Sequence, residues 1–237
     1  MPVTSSSAPP SNRILSRLSR DDWDLLAPHL SPIDLPLRKR LETPDKMIEH
    51  VYFIEGGFAS IVAGRQGQSI EVGLVGGEGM TGLAVLLGAH SSPNATYMQS
   101  AGRGLRISSA HLRNAEGRSA TLRGVLLQYT HAFIVQTAQT ALANGRSKVE
   151  ERLARWILMA HDRLDGDDLA LTHEFLAIML GVRRAGVTVA LNILEDKALV
   201  RARRGVISVL DRKGLEKITD GAYGVAEAEY ERLFGPG

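Results

Sequence analysis

The sequence predicts an α+β chain with an all-β N-terminal domain, one long central helix and a C-terminal winged helix-turn-helix. Three observations support this prediction. Short strands separated by turn residues recur over residues 49–107, a spacing typical of a β sandwich or barrel. Residues 119–143 have the three-and-four apolar spacing of a long helix. Two shorter helices around a glycine, followed by a small hairpin, are predicted within residues 169–210.

The two shorter helices are predicted over residues 172–180 and 183–196. Thr172 is a suitable N-cap, because its hydroxyl can accept the free backbone N–H groups of the first turn. Gly181 follows the first helix and tolerates the positive φ of a helix end. The exposed residues at the start of the second helix are Arg183, Arg184 and Thr188. Two helices around a Gly-containing turn, the second cationic at its start, fit the major groove of DNA.

A basic hairpin is predicted after the second helix. Residues 199–210 form two short strands around the tip Arg203-Arg204-Gly205, which is the arrangement of a wing. Residues 172–213 contain eight Lys and Arg against four Asp and Glu, whereas the whole chain has a net charge of only +2. This local excess indicates a basic patch suited to DNA phosphates. The alternative is an ordinary solvated face.

Composition limits the other classes of function. The 237 residues are 44% hydrophobic and 23% charged, which is ordinary for a globular protein. The chain has no cysteine, and this excludes disulfides, iron–sulfur clusters and Cys-ligated zinc. Its seven histidines show neither HxH nor HxxxH spacing, so no metal site is expected. The alternative is a haem or metal role for His50, His90 or His111, but surface or hydrogen-bonded histidines are favoured. No apolar run reaches membrane-spanning length, and a cytoplasmic protein is expected.

The N-terminal part divides into a tail and a β domain. Residues 1–12 are rich in serine and proline and are expected to form a disordered tail. The β domain is predicted over residues 13–118. Within it, the β-rich runs 51–54 and 58–62 are expected to form a hairpin that turns at Glu55-Gly56-Gly57.

The long helix is predicted over residues 119–143, with a break at Asn144-Gly145. Apolar side chains recur along one face at steps of four, three and four, as in a coiled coil. The residues of this seam are Leu122, Leu126, Tyr129 and Phe133. We expect the seam to pair with the same helix of a second copy. The alternative is a helix packed on its own domain.

A glycine-rich loop over residues 76–82 contains a weak dinucleotide-binding pattern, Gly77-x-Gly79-x-x-Gly82. An NAD-binding site needs an acidic residue about 20 positions onward, but the next acid after Glu78 is Glu116. No βαβ pattern surrounds the loop, and no nucleophile motif such as GxSxG is present. A Rossmann-type enzyme is therefore the least favoured alternative, and no enzyme activity is expected.

The order of β domain, long helix, helix and winged helix-turn-helix resembles the Crp/Fnr family of bacterial transcription regulators over nearly the whole chain after the tail. The C-terminal residues that carry the resemblance are 151–156, Leu171, Thr172, Leu176, Ala177, 180–182, Arg184, Val187, Thr188, Leu191, Leu194, Glu195 and 205–207. The resemblance implies a jelly-roll-like β-roll of the cyclic-nucleotide-binding type as the sensor domain over 13–118. It implies a dimerisation helix over 119–145 and a winged helix-turn-helix DNA-binding domain over 146–237.

The resemblance also implies roles for individual residues. Arg184 occupies the position of a base-reading arginine, and its paired N–H groups suit guanine O6 and N7. Arg183 is expected to contact a phosphate or a neighbouring base. Thr172 and His173 match residues that contact the DNA backbone.

Two positions depart from the family pattern. Ala185 and Val189 stand where an acidic and a second basic base reader are frequent, and they offer thymine methyls only apolar contact. The operator should therefore differ from the best-known one of the family. Thr188 and the wing residues Arg203 and Arg204 complete the predicted DNA contacts.

The effector pocket departs further. Gly77-Glu78, with Gly79, matches the loop whose glutamate binds ribose in relatives that bind cyclic nucleotides. The Arg-Ser/Thr pair that binds the phosphate in those relatives is absent, because the corresponding stretch reads Ser91-Ser92-Pro93-Asn94. A cyclic phosphate without a cation loses a charge-assisted hydrogen bond of about 1.5–3 kcal/mol. Cyclic AMP is therefore not the expected effector, and the sequence identifies no cofactor.

The sequence thus predicts a homodimeric, sequence-specific DNA-binding transcription regulator. Its expected partners are double-stranded DNA, a second copy of the chain and, as the resemblance implies, RNA polymerase; no membrane is expected. The alternative is a small-molecule-sensing β-roll module in which DNA binding is secondary or lost. The effector, the operator and the direction of control are left open.

Overall fold

The computed structural model describes residues 10–64 and 68–235. Most of the expected tail lies outside the described residues, but its predicted end is wrong. Asn12 is fully buried, and its side-chain amide donates to the carbonyl oxygens of Ile54 and Gly79, both at 2.8 Å. The composition of residues 1–12 does not indicate these long-range hydrogen bonds. The packed chain therefore begins before residue 13, where the sequence predicted its start.

The N-terminal domain is built on one antiparallel sheet. Its strands are β1 (Ser31–Leu35), β2 (Arg40–Glu42), β3 (His50–Ala63), β4 (Ile70–Val75) and β5 (Ala95–Ser108). The neighbours run in the order β1, β5, β3 and β4, while β2 pairs with the start of β5. Its helices are α1 (Arg20–Leu26), α2 (Leu83–Leu86) and α3 (Ser109–Arg118), with short 3-10 turns at Leu15–Arg17 and Ala27–His29. The predicted β architecture of this domain is confirmed.

The hairpin predicted at Glu55-Gly56-Gly57 is wrong, because β3 continues through these residues as one strand. β5 pairs with β3 on both sides of the glycines, and the register shifts opposite them. Gly57 has a φ of +68°, and a Cβ on Gly102 would lie 1.7 Å from the carbonyl oxygen of Gly56. The glycines therefore form a bulge where two strands approach closely, rather than a turn.

A single long helix, α4 (Ala120–Arg146), follows the sheet. Ser119 caps its N-terminus by accepting a backbone N–H through its hydroxyl. The break predicted at Asn144-Gly145 is wrong, because the helix continues to its last residue without interruption. A glycine costs a helix only about 1 kcal/mol relative to alanine, and tertiary packing along the rest of the helix outweighs that cost.

The predicted dimer seam lies on the inner face of α4. Leu122, Leu126 and Tyr129 are buried against the β domain of the same chain. Phe133 packs against the sheet, where its ring fills the space beside Gly73. Heptad spacing shows that a helix face is apolar but not which molecule covers it. Because their own domain covers Leu122, Leu126 and Tyr129, the assignment of these three residues to a dimer interface is wrong. The role of the half-buried Phe133 in a dimer stays a prediction.

The C-terminal domain contains four helices around a small sheet, followed by one more helix. The helices are α5 (Val149–His161), α6 (His173–Leu180), α7 (Arg184–Asp196), α8 (Arg212–Ile218) and α9 (Val225–Phe234). The antiparallel sheet has the order β6-β8-β7, with β6 (Asp168–Ala170), β7 (Val200–Arg203) and β8 (Val206–Val209). The predicted helix-turn-helix and wing are confirmed.

The two domains share their hydrophobic packing. Trp156 of α5 lies in one core cluster with Phe58 and Leu74 of the N-terminal sheet. α9, which the sequence did not predict, packs back against α4, and its Tyr230 and Phe234 belong to the N-terminal core. The C-terminal domain, whose helix-turn-helix and wing we call the head, is thus packed on the β domain through α5 at its start and α9 at its end.

Candidate DNA-binding surface and glycine loop

Local sequence determines the geometry of the helix-turn-helix. Thr172 caps α6 by accepting the N–H of Phe175 through its hydroxyl at 3.2 Å. Gly181 ends this helix with a φ of +62°, as predicted from its position. α6 and α7 are bent by 103° relative to one another, which is within the range of a helix-turn-helix. In the described parts of the chain, no single helix is long and apolar enough to cross a membrane, and only this bent pair reaches that length.

α7 presents one face to the core and the other to solvent. Its buried residues are Val187, Ala190, Leu191 and Leu194, at the predicted helical spacing. Its exposed residues, with the N-cap Arg183, include every DNA-contacting position predicted for this helix: Arg183, Arg184, Ala185, Thr188 and Val189. Because Arg183 is the N-cap, these side chains all lie at the N-terminal end of the helix, the end that a helix-turn-helix inserts into the groove.

The wing, α6 and α7 form one continuous surface. The carbonyl oxygen of Gly205 at the wing tip accepts the N–H of Leu171 at 2.8 Å, which places the tip beside Thr172. His173, the first residue of α6, then bonds through Nδ1 to the hydroxyl of Thr188 on α7 at 3.2 Å. We call this surface the reading surface, and it contains all nine predicted DNA contacts. Their shared location is a finding, whereas contact with DNA stays a prediction.

The basic side chains of the reading surface are not neutralised by the protein. Arg183, Arg184, Arg203 and Arg204 are exposed, and none of them is ion-paired with a carboxylate of the described residues. Arg204 has a φ of +47° and is followed by Gly205 at +81°, the pattern of a two-residue type I′ hairpin turn. Positive φ is unfavourable for an arginine. The residue nevertheless puts an exposed positive charge at the wing tip.

In the glycine loop at residues 76–82, in contrast to the reading surface, the charged side chain is buried and ion-paired within the chain. Oε1 of Glu78 accepts hydrogen bonds from Nε and Nη2 of Arg163 at 2.8 and 2.7 Å. Both side chains are largely buried, with 17% of the glutamate and 8% of the arginine exposed. The hydroxyl of Tyr230 on α9 donates to the backbone oxygen of Glu78 at 2.7 Å. Burial alone lowers the pKa of Arg163, but the neighbouring carboxylates of Glu78 and Asp162 raise it above its ordinary value.

The two glycines beside Glu78 are covered as well. The backbone oxygen of Gly77 accepts the N–H of Arg13 at 2.8 Å, and that of Gly79 accepts the amide of Asn12. A Cβ on Gly79 would lie 2.1 Å from the hydroxyl oxygen of Tyr129. The residues predicted as the effector pocket are therefore brought together, but they contact side chains of the same chain.

The segment Ser91 to Asn94 contains no basic residue, although the resemblance places a phosphate-binding cation there. It runs beside the loop before β3, where the N–H of Asp45 donates to the oxygen of Ser92 at 2.8 Å. Nothing in this segment offers a buried positive charge to a cyclic phosphate.

Glu71 on β4 is a buried acid that sequence reasoning missed. Its Oε1 accepts the indole N–H of Trp156 at 2.6 Å, and its Oε2 pairs with the hydroxyl of Ser60 at 2.5 Å. Burial raises the pKa of Glu71 to about 8, although both hydrogen bonds lower it. The acid at 71 and the tryptophan at 156 are visible in the sequence, but nothing local indicates that they meet.

A cleft of about 370 Å³ opens between α4, α8, α9 and the end of α5. Its wall includes Glu78, Arg163 and Phe133, together with Tyr223 and Glu227 from the segment around the start of α9. It lies where the β domain and the C-terminal domain meet. Within the described residues, no group of three or more His, Asp or Glu side chains could hold a metal ion.

The architecture defines a class of fold: a winged helix-turn-helix module joined by a long helix to an N-terminal β domain. Residues 151–218 match the family model described as the Crp-like helix-turn-helix domain. The chain therefore contains a Crp-like helix-turn-helix domain, and the resemblance inferred from its C-terminal residues is confirmed.

Solved structures of the same fold cover most of the chain. A transcriptional regulator of the Crp/Fnr family from Eubacterium rectale matches with a TM-score of 0.70 and 16% identity, over 86% of this chain and 96% of that one. FixK2 from Bradyrhizobium japonicum matches with a TM-score of 0.65 and 18% identity, over 80% and 96%. The c-di-GMP responsive global regulator CLP of Xanthomonas campestris matches at 0.62 and 18%, over 81% and 99%. No curated protein sequence matches this chain. Over this part of its length, the chain has the same fold as these Crp/Fnr regulators.

Proposed function

We propose that the protein is a sequence-specific DNA-binding transcription regulator that acts as a homodimer and has no enzymatic activity. One observation carries this proposal: the exposed N-terminal end of α7, the start of α6 and the basic wing form a single surface with unpaired arginines. A surface of this shape and charge is complementary to a major groove and its flanking phosphates. Such a regulator would act where the chromosomal DNA is, in the cytoplasm, and would contact RNA polymerase.

Individual roles follow from position on the reading surface. Arg184 reads a guanine through two N–H donors, while Arg183 contacts a phosphate or a neighbouring base. Ala185 and Val189 meet apolar groups such as thymine methyls. The remaining contacts are to the DNA backbone and come from Thr172, His173, Thr188, Arg203 and Arg204.

The proposed dimer uses the outer face of α4. Exposed residues on this face recur at steps of three and four, like the inner seam, and include the large apolar side chains of Leu127 and Ile134. The smaller members of this stripe are Ala138 and Ala141, and Leu142 lies beside it. A stripe of this spacing suits pairing of two long helices around a twofold axis. Two heads on such a dimer would address two half-sites about one helical turn apart.

We also propose that cyclic AMP does not control the protein. The carboxylate of Glu78, which the resemblance assigns to ribose binding, is engaged by Arg163. The segment from Ser91 to Asn94 supplies no cation for the phosphate. A nucleotide would have to break a buried ion pair and would gain no counter-charge.

The test is selection of bound sequences from random DNA by the purified protein and by Arg184→Ala. The unaltered protein should enrich a two-fold symmetric site, and the variant should lose preference at one base pair of each half-site, at a cost of about 1–3 kcal/mol. Arg20→Ala removes an arginine with 88% exposure on α1 and should leave the selected site unchanged. An identical sequence preference in Arg184→Ala would refute the assignment.

A second candidate function, small-molecule sensing with secondary DNA binding, is favoured by the cleft between α4 and α9. A molecule bound there would touch both domains, since Glu78 and Tyr223 lie on its wall. Thermal unfolding with a metabolite collection distinguishes the two candidates. A strong rise in Tm with one compound, combined with no salt-dependent DNA binding at any sequence, would favour the sensing module.

A further inference from the structure

The C-terminal domain meets the β domain at two acids that are seven positions apart. Trp156 bonds to Glu71 on β4, and Arg163 bonds to Glu78 in the glycine loop. The two C-terminal partners are also seven positions apart, on α5 and just beyond its end. α5 and the residues just beyond it are therefore held to the β domain at two points, one on β4 and one in the glycine loop.

Additional hydrogen bonds fix the geometry of the ion pair between Arg163 and Glu78. Oε1 of Glu78 accepts two N–H groups of Arg163 and also the backbone N–H of Gly76 at 3.1 Å. Nη1 of Arg163 donates to the backbone oxygen of Met159 at 2.6 Å, which orients the guanidinium relative to α5. A largely buried ion pair with these additional hydrogen bonds tolerates only a narrow range of relative positions.

The last helix covers this contact. Tyr230 of α9 donates to the backbone oxygen of Glu78, and Arg13 lies 4.7 Å from the centre of the Tyr230 ring. Arg13 also donates through Nη2 to the oxygen of Gly235 at 2.6 Å. The segments before α1 and after α9 therefore close over the ion pair from the solvent side.

We propose that Glu78 and Arg163 form a latch that fixes the orientation of the DNA-binding head relative to the β domain and α4. The reading surface, including Arg184, is exposed while the latch is closed, so the latch leaves DNA binding unobstructed. In a dimer, a fixed head on each protomer sets the distance between the two reading surfaces. The glycine loop thus acts as the docking point for the head. This inference rests on the proposed function only for its DNA readout.

The direct test measures the position of the head without DNA. The chain has no cysteine, so Met47→Cys on the β domain and Leu210→Cys after the wing introduce the only two labelling sites, and both positions are exposed. We expect one narrow distance distribution between spin labels at these sites in the otherwise unaltered chain. Arg163→Met and, as the milder variant, Glu78→Gln should each broaden or shift it. An unchanged distribution in both folded variants would overturn the latch.

The second readout uses DNA with two half-sites. Spreading the half-sites by about half a helical turn, roughly five base pairs, should weaken binding of the unaltered protein by at least about tenfold, because both heads no longer engage together. In Arg163→Met this penalty should shrink to less than about threefold, while affinity for a single half-site stays unchanged. Failure of the unaltered protein to prefer any sequence would refute the proposed function, whereas an unchanged spacing penalty in the variant would refute the latch alone.

Discussion

At the reading surface the arginines are exposed and unpaired, whereas at the glycine loop the single carboxylate is buried and ion-paired. The partners within the reading surface come from one stretch of chain, residues 172–205. The partners of Glu78 lie 85 and 152 positions away, in Arg163 and Tyr230. The reading surface thus keeps its charges free for the DNA partner that we propose, whereas a loop with the local pattern of a ligand site is used for contacts within the chain.

The largest expected effect is on the inner face of α4. Leu126→Ala should lower the free energy of unfolding by about 2–5 kcal/mol, because a fully buried side chain leaves a cavity in the N-terminal core. Denaturant unfolding measures this loss. The matched change on the outer face, Ile134→Asp, should leave the fold of each protomer intact but abolish dimers in sedimentation experiments. The assignment of the two faces fails if Leu126→Ala is harmless to folding and dissociates the dimer.

The next effect concerns Glu71, which is buried between the domains. Burial raises the pKa of Glu71 to about 8 in the folded chain, against 4.5 as its ordinary value. The unfolded chain therefore binds fewer protons than the folded chain between these values, and stability falls as the pH rises through this window. The slope should reach at most about 1.4 kcal/mol per pH unit.

Glu71→Gln should remove this slope while keeping an acceptor for Trp156. The measurement is urea unfolding at a series of pH values between 5 and about 8. Glu231→Gln is the control, because this glutamate is exposed on α9 and its loss should leave the slope unchanged. A slope that persists in Glu71→Gln would show that another group causes it.

A smaller effect is expected at the start of α6. Thr172→Ala removes the N-cap hydroxyl and should cost about 1 kcal/mol of stability. Thr172→Ser keeps an acceptor at the same place and should recover most of this loss. Thermal unfolding of the three proteins is the measurement. Equal stability of the serine and alanine variants would mean that the hydroxyl does not stabilise the helix.

The smallest effect on stability has the opposite sign and lies at the wing tip. Arg204→Asn should stabilise the chain by about 1 kcal/mol or less, because asparagine tolerates the positive φ that Arg204 adopts. The same change should reduce the salt dependence of DNA binding by about one phosphate contact. A variant that is more stable and keeps the full salt slope would remove Arg204 from the set of DNA contacts.

Sequence reasoning located the features that depend on neighbouring residues. Thr172, Gly181 and the two-residue turn at Arg204-Gly205 determine local backbone geometry, so the helix-turn-helix and wing were predicted correctly. The same local reasoning misread Gly56 and Gly57, because a bulge and a turn use the same residue types and differ only in what lies opposite. The strand that lies opposite comes more than 40 positions later in the chain.

Contacts between segments that are far apart in the sequence could not be predicted from the pattern of neighbouring residues. The spacing of Leu122 and Leu126 correctly indicated an apolar helix face but not that the β domain covers it. Arg163 follows α5 as an ordinary basic residue, and nothing near it in sequence indicates a buried partner at Glu78. α9 had a usable signal, since Ala226, Tyr230 and Phe234 recur at four-residue steps.

The hydrogen bond between Arg13 and the oxygen of Gly235 joins segments that are 222 positions apart. During synthesis, α9 and Gly235 leave the ribosome only after the reading surface has been made, so Arg13 and the glycine loop wait for these last partners. Contacts of such long sequence separation are slow to form, because a large loop must close before they contribute. A newly made chain would therefore fold its reading surface first and fix the orientation of that surface last.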